Sequence, residues 1–426
     1  MLSLVAQNIV SVTDTAFLGH VGSVELGASA IGGIFYITLF MVAYGFTTGV
    51  QILIARRFGE KEYNVIGSIF DNSLYFLGIS TLVISLFVVF FGAPLLKPLI
   101  QSPEVFKAGI GYLNYRIFGL FFASAVLLFR SFYTGITYTK YISISAIIMA
   151  FANVILDYGL IFGKLGMPKM GIEGAGLASA ISEALAFAFF LIITMRMSRL
   201  KPYKLLRFNK PDFKIISSIF NVSGFIVIQF VLSHAVWFAF FLLIEKMGET
   251  SLAVANIIRS VYMLLMIPAW AMSSTTNTLV SNMIGEGHQE SVIPLVKKVM
   301  GFAMLLLLII AAIAAFIPRF VISIYTNDPI LIEASIPSYY MILGAEILFS
   351  VTIILFNGVL GTGNTRTGLA LEVVTLIIYV FAAWLLAIKL SQPIEMVWLC
   401  EYVYSIILGG ISWLYLRHGN WRLRKI

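Results

Sequence analysis

Two carboxylates lie in stretches that are otherwise apolar. Asp14 sits within Met1–Leu18, and Asp157 lies in a second such segment with Asn153 one helical turn before it. An unpaired charge at the centre of a membrane helix costs roughly 2.5–3.5 kcal/mol even on lenient insertion scales, so an ionisable residue there marks a functional site. Asn153 and Asp157 are spaced i, i+4 and share one helix face, which lets an amide oxygen and a carboxylate address one ligand. Oxygen donors of this kind suit a hard cation, so Asp14, Asn153 and Asp157 are candidate Na+ ligands. A carboxylate removed from water equally suits proton carriage. Counted at about 1.5 Å per residue from the nearest outer boundary, Asp14, Asp157 and Ser179 lie at similar depth, which adds Ser179 to the set. The competing reading makes the acids partners of buried arginines such as Arg116 or Arg130; two acids at matching depth weigh against it.

The elements that must position these residues are membrane helices. The chain of 426 residues is 60% hydrophobic and 11% charged, where a soluble domain carries about a quarter charged residues. Apolar runs of about 18 or more residues can span the bilayer as helices. Twelve are present, near 1–18, 27–55, 65–91, 106–136, 141–163, 174–195, 220–245, 251–282, 294–317, 330–360, 367–388 and 395–416. The net charge of +8 does not point to nucleic acid, because the basic residues alternate between the two sides. Loops after even-numbered spans and the tail, from Arg56, Arg57 and Lys61 to Arg422, Arg424 and Lys425, hold most of them. Both termini are therefore expected in the cytoplasm. The single cysteine, Cys400, excludes an intramolecular disulfide and a thiolate metal cluster. The first span lacks the basic leader and cleavage site of a signal peptide. The chain is expected to begin inside, or at the start of, its first transmembrane helix, with upstream residues missing.

The sequence repeats itself at a constant shift of 226 residues, the kind of internal repeat to seek first in such a chain. Gly22, Leu26 and Ile31 align with Gly248, Leu252 and Ile257; Gly59-Glu60 with Gly285-Glu286; and Gly135 and Thr139-Lys140 with Gly361 and Thr365-Arg366. Six spans in each copy give the copies one orientation and an axis along the membrane normal, with a substrate cavity expected between them. The expected division is a first lobe over 1–195, a basic cytoplasmic linker over 196–214 broken by Pro202 and Pro211, and a second lobe over 215–426. Asp14, Asn153 and Asp157 fall opposite Phe240, Tyr379 and Ala383. Ion coupling is thus expected in the first half only.

Other residues fit the cavity less specifically. Glu183, one turn beyond Ser179, and Glu372 in span 11 are further intramembrane acids, with a structural role as the alternative. Tyr36 lies at the cavity's depth, where aromatic rings attract lipophilic cations. His234, close to Gln229, is read as an interior histidine with its ring satisfied; titration near neutral pH is the other reading. HExxH, the Walker A lysine loop and GxSxG are all lacking. No enzyme chemistry and no ATP-driven transport are implied.

The segments Val12–His20, Gly59-Glu60, Gly285-Glu286, Asn153–Asp157 and Gly174–Ser179 together resemble the multidrug and toxic compound extrusion (MATE) family, over nearly the whole chain. The span 1 and span 5 segments look most like its DinF-like branch. The resemblance implies an all-α membrane fold of twelve helices in two six-helix lobes, and cation-coupled antiport that exports amphipathic, often cationic, compounds by alternating access. It makes Asp14, Asn153 and Asp157 the amino-lobe ion site, with Ser179 in place of a threonine. It also implies the bacterial inner membrane, a monomer, small-molecule substrates and no cofactor beyond H+ or Na+. Two departures stand out. The family's polar leader and helix 1 proline are absent, and Gly363-Asn364-Thr365 replaces an aspartate turn, so no carboxyl-lobe site is expected. The alternative is a lipid-linked saccharide flippase of the same superfamily, which would not need the three polar residues; a membrane enzyme or scaffold is a third reading, disfavoured by the repeat.

Overall fold

The computed structural model describes residues 2–98, 100 and 102–422, apart from the side chains of Leu2 and Leu4. Met1, and Arg424 and Lys425 of the basic tail, lie outside them. Among the described residues all regular structure is helical. Two compact units divide between Val227 and Ile228. The first holds α1 (Leu2–Val21), α2 (Ser23–Gly59), α3 (Tyr63–Leu96), α4 (Pro103–Gly135), α5 (Lys140–Phe162), α6 (Ile172–Arg196) and the beginning of α7 (Phe213–Glu245). The second holds the rest of α7, then α8 (Glu249–Leu265), α9 (Ile267–Gly285), α10 (Val292–Phe316), a short α11 (Pro318–Ser323), α12 (Pro329–Gly361), α13 (Thr365–Trp384), a short α14 (Ile394–Val397) and α15 (Leu399–His418).

Among the described residues ten helices are long and apolar enough to cross a membrane, and α8 with α9 makes an eleventh span bent by 48°. With the 20-residue α1, which carries Gln7, Asn8 and Asp14 among its apolar residues, the twelve spans are accounted for. The span expected over 251–282 is thus made of two helices joined by a bend, which the apolar run did not record. Pro268 occupies the first turn of α9, where its missing N–H and its ring prevent the preceding helix from running through.

The repeat is visible in the turns. Gly22 and Gly248 precede α2 and α8, and Glu60 and Glu286 close α2 and α9 by donating backbone N–H groups to Arg56 and Asn282 at 3.0 and 2.8 Å. The residues that follow, Lys61 and Gly287, both take positive φ, as do Thr137 and Gly363. Close approaches repeat as well. A Cβ on Gly135 would meet Ile54, and one on Gly361 would meet Val280, both contacts again 226 positions apart. Asn364 caps α13 by accepting the Thr367 N–H at 3.4 Å, which gives the turn that lacks an aspartate a structural use.

The stretch between α6 and α7 packs with the first unit. The Asp71 carboxylate on α3 accepts the backbone N–H groups of Leu206, Arg207 and Phe208 at 2.8, 2.9 and 3.1 Å. Asn72 accepts from the Asp212 N–H at 2.9 Å, and the Tyr75 hydroxyl donates to the Asn209 carbonyl at 3.0 Å. Leu206 and Phe208 have positive φ, so the carboxylate gathers N–H groups from a tightly curled loop.

Candidate ion and substrate site

The three residues singled out by their chemistry meet inside the first unit. Asn153 and Asp157 are fully buried on α5, Ser179 is buried on α6, and Asp14 is half-buried on α1. With its amide nitrogen turned toward the acids, Asn153 donates to Asp157 Oδ2 at 3.1 Å and to Asp14 Oδ1 at 3.0 Å. The opposite orientation sets its oxygen against two acceptors and leaves only a 3.5 Å bond from Nδ2 to Ser179 Oγ. The hydrogen-bond network therefore selects the bridging orientation. Asp157 Oδ1 is buried with no hydrogen-bond partner among the described residues.

Glycines bring these helices together. A Cβ on Gly174 would meet the Leu160 carbonyl group at 2.8 Å, and one on Gly176 the Tyr112 carbonyl oxygen at 2.7 Å. Both obstacles are backbone, so only glycine lets α6 approach α5 and α4 this closely. The Gly174–Ser179 segment is thus a packing device that carries Ser179 to Asn153.

A cavity of about 300 Å³ opens over the cluster, bordered by Asp14, Tyr36, Arg116, Asn153, Ser179 and Glu183 among others. This lies at the lower end of ligand-pocket sizes, which run from about 300 to 1,000 Å³. Tyr36 and Glu183 are thus cavity residues, and Glu183 is also half of an ion pair. Arg116 Nη1 and Nη2 donate to Glu183 Oε2 and Oε1, both at 2.7 Å. The Arg116 guanidinium lies 3.8 Å from the centre of the Tyr36 ring. Arg116 therefore pairs with Glu183 and not with Asp14 or Asp157. The sequence supplied Arg116 as a possible partner of the coupling acids; it had no signal for a bond across 67 residues between α4 and α6.

His234 and Glu372 belong to the second unit. His234 is exposed, and its Nδ1 is bonded to the Phe230 carbonyl at 2.8 Å. This corrects the expectation of an interior histidine: the neighbouring Ser233 turns inward on α7 and carries His234 outward. Glu372 is buried and accepts from the Ser233 and Tyr404 hydroxyls at 2.8 and 2.9 Å. Two further buried acids were missed in the sequence, Glu346 on α12 and Glu401 on α15, the latter accepting from the Tyr379 hydroxyl at 2.8 Å. The positions equivalent to the coupling set carry apolar packing instead. Phe240 and Tyr379 have ring centres 5.9 Å apart, and both are buried with Ala383 in one hydrophobic cluster.

The MatE family model matches residues 1–159 and again 226–385, so the ends of the two matches are also 385 − 159 = 226 residues apart. A "Probable multidrug resistance protein NorM" of Thermotoga maritima is 26% identical over 432 aligned positions, covering 99% of this chain and 91% of that protein. Its counterpart from Synechocystis is 25% identical over 329, covering 76% and 71%. Among solved structures, a mutant of the Vibrio cholerae MATE transporter VcmN superposes with TM-score 0.91 at 16% identity, covering 99% of this chain and 96% of that one. A MOP superfamily transporter from Pyrococcus furiosus gives 0.90 at 17%, covering 98% and 92%. Members of this family are transporters and not enzymes. The double family match over most of the chain, with multi-pass helices in two units, makes this protein a member of the multidrug and toxic compound extrusion family.

Proposed function

We propose that the protein is a proton-coupled antiporter that exports amphipathic organic cations by alternating access. The observation that carries this reading is the meeting of Asp14, Asn153 and Asp157 beneath one cavity. Two acids held on one amide nitrogen make a pair of like charges that a single proton can relieve, and the proposal takes H+ as the coupling ion on that ground. Names of relatives point to drug efflux, and the cavity's carboxylates suit positively charged cargo. The proton and the exported cation oppose each other: each favours a different packing of the first unit, and the difference in affinity supplies the coupling free energy. The placement of basic residues supports cytoplasmic termini, and the membrane is taken as the bacterial inner membrane, with a monomer as the working unit.

The test is ethidium efflux from proteoliposomes under an imposed pH gradient and, separately, a Na+ gradient. The expected result is efflux driven by the pH gradient in the wild type and lost in both Asp14→Asn and Asp157→Asn. Efflux driven only by Na+ would replace the proton by a sodium ion held by Asp14, Asn153 and Asp157. Full gradient-driven export by Asp14→Asn would overturn the mechanism.

A further inference from the structure

The same cavity already holds an organic cation, and it is part of the chain. The Arg116 guanidinium is gripped on its edge by the Glu183 carboxylate and covered on its face by the Tyr36 ring. These are the two interactions by which a planar cation is recognised: a bidentate carboxylate and the negative face of an aromatic ring. The site is built and not incidental. Tyr36 is 5% exposed, and the Arg116 and Glu183 side chains are 12% and 13% exposed. A Cβ on Gly119 would meet Glu183 Oε2 at 2.5 Å and Arg116 Nη1 at 2.7 Å, so α4 leaves room for the pair where it passes α6.

We propose that Glu183 and Tyr36 form the recognition subsite for the exported organic cation, and that Arg116 is a built-in competitor occupying it when no substrate is bound. The inference rests on the reading of the protein as a cation exporter. Asp14 borders the same cavity as Arg116, so a displaced guanidinium has the Asp14 carboxylate to turn to. The incoming cation then takes the carboxylate edge and ring face that Arg116 leaves. A planar cation such as ethidium, which can lie flat on Tyr36 with charge directed at Glu183, fits this geometry; an anion of the same size does not.

The test breaks one ion pair from its two ends. Ethidium binding to the purified full-length protein in detergent is followed by fluorescence for the wild type, Arg116→Gln and Glu183→Gln. An ion pair that merely supports the fold weakens binding alike from either side. The subsite predicts opposite signs: Glu183→Gln weakens binding roughly tenfold, and Arg116→Gln, freed of its competitor, tightens it several-fold. Tyr36→Leu and Tyr36→Phe keep the question answerable if a charge variant does not fold, with the leucine weakening binding about tenfold and the phenylalanine leaving it near wild type. Equal weakening by Arg116→Gln and Glu183→Gln, or equal binding by Tyr36→Leu and Tyr36→Phe, would overturn the subsite while leaving the export reading standing. A folded wild type that binds no ethidium would overturn both.

Discussion

At the scale of single residues, the proposed coupling cluster depends on one amide. Asn153 bridges both acids when its nitrogen faces them, and its contact with Ser179 at 3.5 Å lies at the limit of a hydrogen bond. Asn153→Ala is therefore expected to abolish gradient-driven ethidium efflux, and Ser179→Ala to keep it within about twofold, since a marginal bond contributes well under 1 kcal/mol. Initial efflux rates in proteoliposomes check both; similar losses in the two variants would place Ser179 in the cluster proper. The acids were legible in the sequence because charge among apolar residues is conspicuous, and the Asn153–Asp157 spacing states its own geometry. The Arg116–Glu183 pair was not legible as a pair. Both residues could be seen, but their contact depends on how α4 crosses α6, and no periodicity records that. His234 was misread for a related reason: a 100° step per residue decides whether it or Ser233 turns inward, and an apolar helix surrounded by lipid gives little sign of which face is inside.

At the scale of elements, helices and turns were readable because lipid enforces them. A backbone in hydrocarbon must satisfy its own hydrogen bonds, so apolar length alone predicts helix. The bend between α8 and α9 was the exception, since Pro268 lies inside an otherwise continuous apolar run. The loop between α6 and α7 was legible as basic and proline-containing but not in its attachment. Three backbone N–H groups converge on Asp71, a residue 5% exposed that nothing in the local sequence marks. Removing it strands those donors at a cost of roughly 1–3 kcal/mol. Asp71→Ala is expected to release the loop, seen as faster tryptic cleavage after Lys204 and Arg207 in the folded protein. Cleavage at the wild-type rate would mean that the Asn72 and Tyr75 contacts hold the loop unaided.

At the scale of the whole molecule, one helical plan is used twice, and the cluster of Asp14, Asn153 and Asp157 is built in one copy only. The turns after α2 and α9, and the glycine contacts at Gly135 and Gly361, keep the 226-residue shift through the backbone. The chemistry does not follow it: where the first unit carries Asp14, Asn153 and Asp157, the second carries Phe240, Tyr379 and Ala383 in apolar packing. This asymmetry could be read from sequence because it is a difference in residue type at matched positions. Of the second unit's buried acids, Glu372 was marked in the sequence, while Glu346 and Glu401 escaped notice. If the first unit alone couples proton to cargo, binding of the exported cation must expel protons from that unit, because linkage between two ligands is reciprocal. The most direct measurement is proton release on adding ethidium to the purified protein in weakly buffered solution. Release by the wild type that vanishes in both Asp14→Asn and Asp157→Asn is the predicted result; ethidium binding with no proton release, or release unchanged in those variants, would contradict the account.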